Sequence, residues 1–259
     1  MAHTREPGSV RALLRGLDIL RIVSTSGGAR VADIAAMVNL PRPTVYRLVQ
    51  TLAEAGYVTV STSSGLARVT RLAATLGAGA TDEAALAQAA AALFDEYAPQ
   101  LIWPLDVSVH DDGAMVILET THAQSPLSID RGMAGFRLPM LRSSAGRCYL
   151  GNCPKPERDA ILDLLRRRAN PEDAPFVAPR YLEPMLENVA ARGGLATRDA
   201  GEFRPMTASF ALPARRKGAL VGCVSMIWIR SAMTLAQALA SAETPLRALV
   251  AKLEAALDT

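Results

Sequence analysis

Aromatic side chains are scarce. Phe, Tyr and Trp make up only 5% of the 259 residues, although half of the chain is hydrophobic. Alanine and leucine must therefore fill the core, which leans helical, and global disorder is excluded. Cysteine is scarce too: Cys148, Cys153 and Cys223 form no CxxC pair, and no histidine follows them at metal-ligand spacing. Three cysteines without a signal peptide predict free thiols in a reducing cytoplasm, not a disulfide framework. Histidine is limited to His3, His110 and His122. Asp106, Ser108 and His110 share one face of a predicted strand, but that ligand set is incomplete and no metal is assigned. GxSxG, P-loop and GxGxxG motifs are missing, so no catalytic residue and no cofactor is assigned. No apolar run is long enough to cross a membrane.

No lysine precedes Lys155. Residues 1–72 carry nine arginines against four acids, whereas the remainder holds nineteen bases and twenty-one acids. A basic head on a mildly acidic body places a polyanion at the head. Arginine forks onto phosphate and guanine as lysine cannot.

Met1–Ser9 is polar and reads as an arm. Helical spacing runs through Val10, Leu13, Leu14, Leu17, Leu20 and Ile22. A short helix follows over Val31–Val38, stopped by Asn39 and Pro41, and then a longer one from Arg42 to Ala55, closed by Gly56. Tyr57–Val60 and Leu66–Thr70 flank a Ser/Gly turn and predict a hairpin. Arg71–Gly79 reads as a linker helix, with a hinge at Gly77–Asp82 and a further helix over Glu83–Leu101. Beyond Trp103–Pro104, strands Leu105–Val109 and Met115–Glu119 flank Asp111-Asp112-Gly113, a hairpin signal. Helices are predicted over 143–151, 157–168, 181–192 and 234–257. Strands Ala208–Pro213 and Leu220–Trp228 flank the turn Arg215–Gly218. The expected fold is α+β: a winged helix-turn-helix (1–72), a linker (73–82) and a sheet domain (83–259).

Val31–Ala55 carries the strongest signal. Val45, Leu48, Val49, Leu52 and Ala55 share one face of the second helix, leaving Pro43, Arg47, Gln50 and Glu54 opposite. The N-terminal end of a recognition helix meets base edges, which selects Arg42, Pro43, Thr44, Tyr46 and Arg47. Arg47 suits guanine O6 and N7, and Thr44 a thymine methyl or a phosphate. Arg68 on the wing, and Arg11 and Arg15 on the first helix, suit the DNA backbone.

These runs resemble a family. "RGLDIL" (Arg15–Leu20) and "VADIAAMVNLPRPTVYRLVQTLAEAGYV" (Val31–Val58) look like the DNA-binding domain of IclR-type regulators. "GFRLPMLRSSAGRCYL" (Gly135–Leu150) and "SFALPARRKGALVGCVSM" (Ser209–Met226) resemble stretches of the same family's effector domain. Trp103–Gly132 looks most like the branch controlling catabolism of hydroxyphenylpropionate and related aromatic acids. The resemblance implies a GAF-like effector domain binding a small aromatic carboxylic acid. Its carboxylate would meet the backbone amides of Ser144 and Ala145, at the helix start opened by Ser143. It also places Met206 and Ser225 in the pocket and gives Arg198 a cation-for-acid reversal that favours an anionic ligand. Trp103, Val107, His122 and Met140 complete the walls. The bland alternatives are helix capping by the serines, core filling by the methionines and a domain-boundary plug for Trp103. Implied partners are operator DNA, the acid effector, a second copy in a dimer or dimer of dimers, and RNA polymerase, with no membrane. Two rival readings are a thiol redox sensor on Cys148 or Cys153, and a winged helix fused to an enzyme.

Overall fold

The computed structural model describes residues 10–76, 81–199 and 203–258. The chain divides into two compact units, Met1–Thr81 and Asp82–Thr259. Of the sequence expectations, the arm Met1–Ser9 and the hinge residues Gly77–Ala80 lie outside the described residues.

In the first unit, helices α1 (Arg11–Thr25), α2 (Val31–Met37) and α3 (Arg42–Glu54) precede a hairpin of β2 (Val58–Val60) and β3 (Leu66–Val69). A strand that the sequence did not reveal, β1 (Ala29–Arg30), pairs antiparallel with β3, giving the order β1-β3-β2. Two residues carry no readable period. The core is aliphatic: Ile19 and Val23 from α1, Ile34 and Ala35 from α2, Val45 and Val49 from α3, and Val58 and Ala67 from the hairpin. The α1 spacing predicted a helix, and one forms, but its buried side is Gly16, Ile19 and Val23. Val10, Leu13, Leu14 and Leu17 lie exposed. The linker helix α4 (Arg71–Thr75) is shorter than expected, and Asp82 belongs to α5 (Thr81–Tyr97) rather than to a hinge.

The second unit is built on β4 (Leu105–Asp111), β5 (Ala114–Thr120), β6 (Arg137–Pro139), β7 (Ala196–Arg198), β8 (Thr207–Arg216) and β9 (Ala219–Ile229). They form one sheet, order β6-β5-β4-β9-β8-β7, and every neighbouring pair is antiparallel. Two hairpins set the register. Asp112 (φ 45°) and Gly113 (φ 70°) turn β4 into β5, and Lys217 (φ 49°) and Gly218 (φ 81°) turn β8 into β9. Positive φ at both positions matches the twist of paired strands. The second turn is tighter than the four residues predicted, because β8 pairs through Arg216↔Ala219.

Both sheet faces are covered. Phe94 of α5 and Leu246, Leu249 and Leu253 of α9 (Leu235–Asp258) pack with Val107, Phe210, Val224 and Trp228 on one side. On the other, α6 (Ser144–Asn152), α7 (Lys155–Arg168) and α8 (Pro179–Ala191) pack with Met115, Ile117, Ala211 and Cys223. Burial on both faces explains why β9 reads as a nearly unbroken apolar run. Strands β6 and β7, three residues each, escaped sequence detection as β1 did. Among the described residues no helix is long and apolar enough to cross a membrane.

Candidate functional site

The first unit presents one side of α3 outward. Pro41 precedes the helix, and its carbonyl accepts from the Thr44 and Val45 amides at 2.9 and 3.2 Å. Asn39 (φ 50°) turns the chain between α2 and α3. Val45 and Val49 anchor the inner side. Arg42, Pro43, Tyr46, Arg47 and Gln50 are exposed, and Thr44 is half-buried. Gln50 donates to Glu54 at 2.9 Å, and the Thr51 hydroxyl donates to the Arg47 carbonyl at 2.9 Å. Of the other arginines singled out from the sequence, Arg11 and Arg68 are exposed and Arg15 is half-buried. Arg11, Arg15, Arg42, Arg47 and Arg68 form no ion pair among the described residues. Among the described residues their charge is therefore uncompensated, which suits a phosphate-facing surface.

The second unit holds a narrow cleft on the α6 side of the sheet, with about 380 Å³ of unfilled space, part of it open at the mouth. Ser143 caps α6: its hydroxyl accepts from the Gly146 amide at 3.0 Å and donates to the Pro139 carbonyl at 2.8 Å. Ser144 opens the helix, and its hydroxyl donates to Ser209 on β8 at 2.8 Å. Gly146 is required here because a Cβ would fall 2.2 Å from the Met140 carbonyl oxygen. The cleft thus receives the positive end of a helix held against the sheet.

Buried polar groups surround that end. Arg198 is 3% exposed and braces the loop before β8, donating to the Phe203 and Thr207 carbonyls at 2.6 and 2.7 Å and to Ser209 at 3.2 Å. Arg204 pairs with Asp130 and stacks 4.7 Å above the Phe136 ring. Asp106, on β4, accepts from the Thr120 hydroxyl at 2.6 Å and lies 3.7 Å from His122 Nε2. Ser225 on β9 is 3% exposed, and its hydroxyl has no partner among the described residues.

Of the pocket residues expected from the sequence, the structure brings His122, Ser143, Ser144, Arg198 and Ser225 together around the cleft. It places the other five elsewhere. Val107 is sealed in the α5–α9 core, against which Trp103 packs half-buried. The Met140 and Ala145 side chains sit in the core, although the Ala145 amide, the group singled out from the sequence, stays in the first turn of α6. Met206 is 66% exposed, outside the cleft lining. Of these only Val107 lies on a strand, where neighbouring positions point to opposite faces and a match by segment alone does not fix the side.

Sequence reasoning missed Asp106, Thr207 and Ser209 as lining residues, and also Asp130, Phe203 and Arg204. The first three carried a signal: polar residues at alternating positions inside otherwise apolar strands. The last three come from loops, whose path no periodicity reveals. Asp106, Ser108 and His110 do not converge: Asp106 lines the cleft, whereas His110 stacks on Tyr149 with ring centroids 5.0 Å apart. Among the described residues no three His, Cys, Asp or Glu side chains group as a metal site.

The thiols lie apart from the cleft. All three are buried. Burial pushes Cys153 up to about 11, and burial together with the neighbouring Cys148 pushes Cys223 well above its ordinary value. Both are protonated at neutral pH, the inert form of a cysteine.

A winged helix followed by an α+β domain with an internal cleft defines a class: a nucleic-acid-binding head joined to a domain able to hold a small molecule. Residues 12–62 match the model of the IclR helix-turn-helix domain. The chain is 25% identical over 152 residues, 58% of its length, to the DNA-binding transcriptional repressor YiaJ of Escherichia coli (strain K12). It spans about half the length of the curated relatives it matches. A solved IclR family transcriptional regulator from Brucella abortus shares 27% identity, with 96% of this chain and 93% of that one covered and a TM-score of 0.63. An IclR homolog from Microbacterium hydrocarbonoxydans, complexed with 4-hydroxybenzoate, has the same fold at 20% identity, covering 95% and 98% with a TM-score of 0.67. Residues 12–62 thus match an IclR-type helix-turn-helix, and the chain shares its fold with the solved IclR family regulator from Brucella abortus.

Proposed function

We propose that this chain is a cytoplasmic, ligand-responsive transcription regulator in which residues 1–72 bind operator DNA, 73–82 link, and 83–259 bind a small aromatic carboxylic acid. One observation carries the DNA reading: α3 buries Val45 and Val49 while Arg42, Tyr46 and Arg47 stand clear of the head. That is the arrangement in which a recognition helix enters the major groove. Arg47 reads base edges from there, and Arg11, Arg15 and Arg68 hold phosphates. The cleft supports the sensing half: a helix start and buried polar groups converge on it. The 4-hydroxybenzoate held by the Microbacterium homolog supports an aromatic acid as ligand class. The acid's carboxylate meets the start of α6 near Ser144, and its binding shifts DNA affinity through unequal affinity for two arrangements of the protein. The exposed Val10, Leu13 and Leu17 on α1 favour assembly of the chain with further copies, matching paired operator half-sites. RNA polymerase is the partner through which DNA binding would reach transcription.

Fluorescence anisotropy of the full chain with duplexes from upstream of its own and neighbouring genes tests this. The expected result is one duplex bound well above random sequence, with an affinity that an aromatic acid changes at least about tenfold, the usual range of allosteric coupling. Indifference to every duplex even in dilute salt would overturn the DNA-binding reading.

A further inference from the structure

Resting on the proposal that the cleft binds a small acid, we infer that Asp106 and Ser225 form a hydroxyl-reading end of that cleft, selecting acids with a hydroxyl remote from the carboxylate.

The two residues are direct neighbours across the sheet, Asp106↔Ser225 in the β4–β9 register. Both are 3% exposed and both line the cleft. Asp106 spends Oδ1 on the Thr120 hydroxyl, and Oδ2 has no partner among the described residues. His122 does not supply one, because its Nε2 stands 3.7 Å from Oδ1, beyond hydrogen-bond reach. The His122 proton that the hydrogen bonds locate is on the other nitrogen. The Ser128 hydroxyl donates to the Asp130 carbonyl at 2.5 Å, since a carbonyl can only accept, so Ser128 must accept from His122 Nδ1–H at 2.6 Å. Ser225 adds a hydroxyl without a partner.

This corner holds an unspent carboxylate oxygen and one idle hydroxyl. A hydroxyl satisfies both at once, donating its proton to Asp106 Oδ2 and accepting from Ser225 Oγ–H. A methoxy group lacks the donor, and a bare C–H edge lacks both functions. Strand β9 separates β4 from β8, where Ser209 receives Ser144 at the start of α6. Two strand spacings amount to roughly 10 Å, which leaves a ring or a short chain between carboxylate and hydroxyl.

Calorimetric titration of the full chain with benzoate and phenylpropionate, their 3- and 4-hydroxy and methoxy derivatives, and phenol tests the assignment. At least one hydroxylated acid should bind at least about tenfold more tightly than both its unsubstituted and its methoxy counterparts, as expected for a hydrogen bond to a buried charged group. Asp106→Asn should collapse that ratio. Ser225→Ala is a second variant insensitive to folding loss. Removing an unpartnered buried hydroxyl should hold or raise Tm, while affinity for the hydroxylated acid falls severalfold. Acids bound without regard to hydroxylation, or a ratio unmoved by both variants, would overturn this inference and leave acid sensing standing. Phenol binding abolished by Asp106→Asn, with no acid bound, would uphold it and overturn acid sensing. Binding of neither acids nor phenol would overturn both.

Discussion

The hydroxyl of Ser144, first residue of α6, donates to the hydroxyl of Ser209 on β8 at 2.8 Å, and Ser209 also accepts from Arg198 at 3.2 Å. One side chain thus ties the helix start and a buried guanidinium to the sheet. Ser209→Ala should cost about 1–3 kcal/mol, because two buried donors lose their acceptor. Denaturant titration of the full chain is the check; an unchanged midpoint would mean that water or another group replaces Ser209.

Gly146 sits where any larger residue collides with backbone. Gly146→Ala places a methyl 2.2 Å from the Met140 carbonyl oxygen, which a rotamer change cannot relieve. Either α6 or the β6–α6 connection must move. The expected outcome is a lower Tm together with weakened acid binding, because the helix start is part of the cleft. A variant with wild-type affinity in a ligand-dependent thermal shift would separate the helix start from the ligand.

Arg47→Ala should cost about 1–3 kcal/mol on the cognate operator and flatten discrimination at the base it contacts. Arg68→Ala should weaken all duplexes alike and lower the salt dependence by about one ion. Anisotropy on matched operator variants across a salt series distinguishes the two. Equal losses on random DNA for Arg47→Ala would assign it to phosphate contact instead.

Ile34 of α2 is fully buried in the head core. Ile34→Ala leaves a cavity among Ile19, Val45 and Val49 and should cost about 2–5 kcal/mol. DNA affinity falls with it, whereas acid binding in the other unit stays. Calorimetry with the acid beside a duplex titration would show whether the loss is confined to DNA.

The buried thiol of Cys153 is raised to about 11 from an ordinary value near 9. Its contribution to stability is complete below pH 9 and disappears as pH rises towards 11, since only the unfolded chain ionises readily in that window. Labelling by a thiol reagent should be slow in native protein at pH 8 and rapid after denaturation. Fast native labelling at Cys153 would restore a redox role.

Much of the architecture was legible before any coordinates. The α3 register emerged from Val45, Leu48 and Val49 against Arg47 and Gln50, because a helix with one wet side must write its period into the chain. Asp112-Gly113 announced its hairpin through the positive φ that both positions require. Strands β1, β6 and β7 were not legible, being too short to show a period and held by partners far away in sequence. The cleft was half legible. Ser143 and Ser144 stood out as a helix start, but Val107 was misplaced because a resemblance between segments does not say which sheet face a strand residue occupies, and Met140, in the turn after β6, because it does not say which way a turn residue faces.

The local pattern of polar and apolar residues was enough to specify the helix-turn-helix, the wing and the outward arginines, since short-range periodicity and turn chemistry act on neighbours along the chain. Pairing β4 with β9 was a matter for the tertiary structure alone. Only that long-range register sets Asp106 beside Ser225, more than a hundred residues apart, and leaves their unspent hydrogen-bonding capacity facing one cleft.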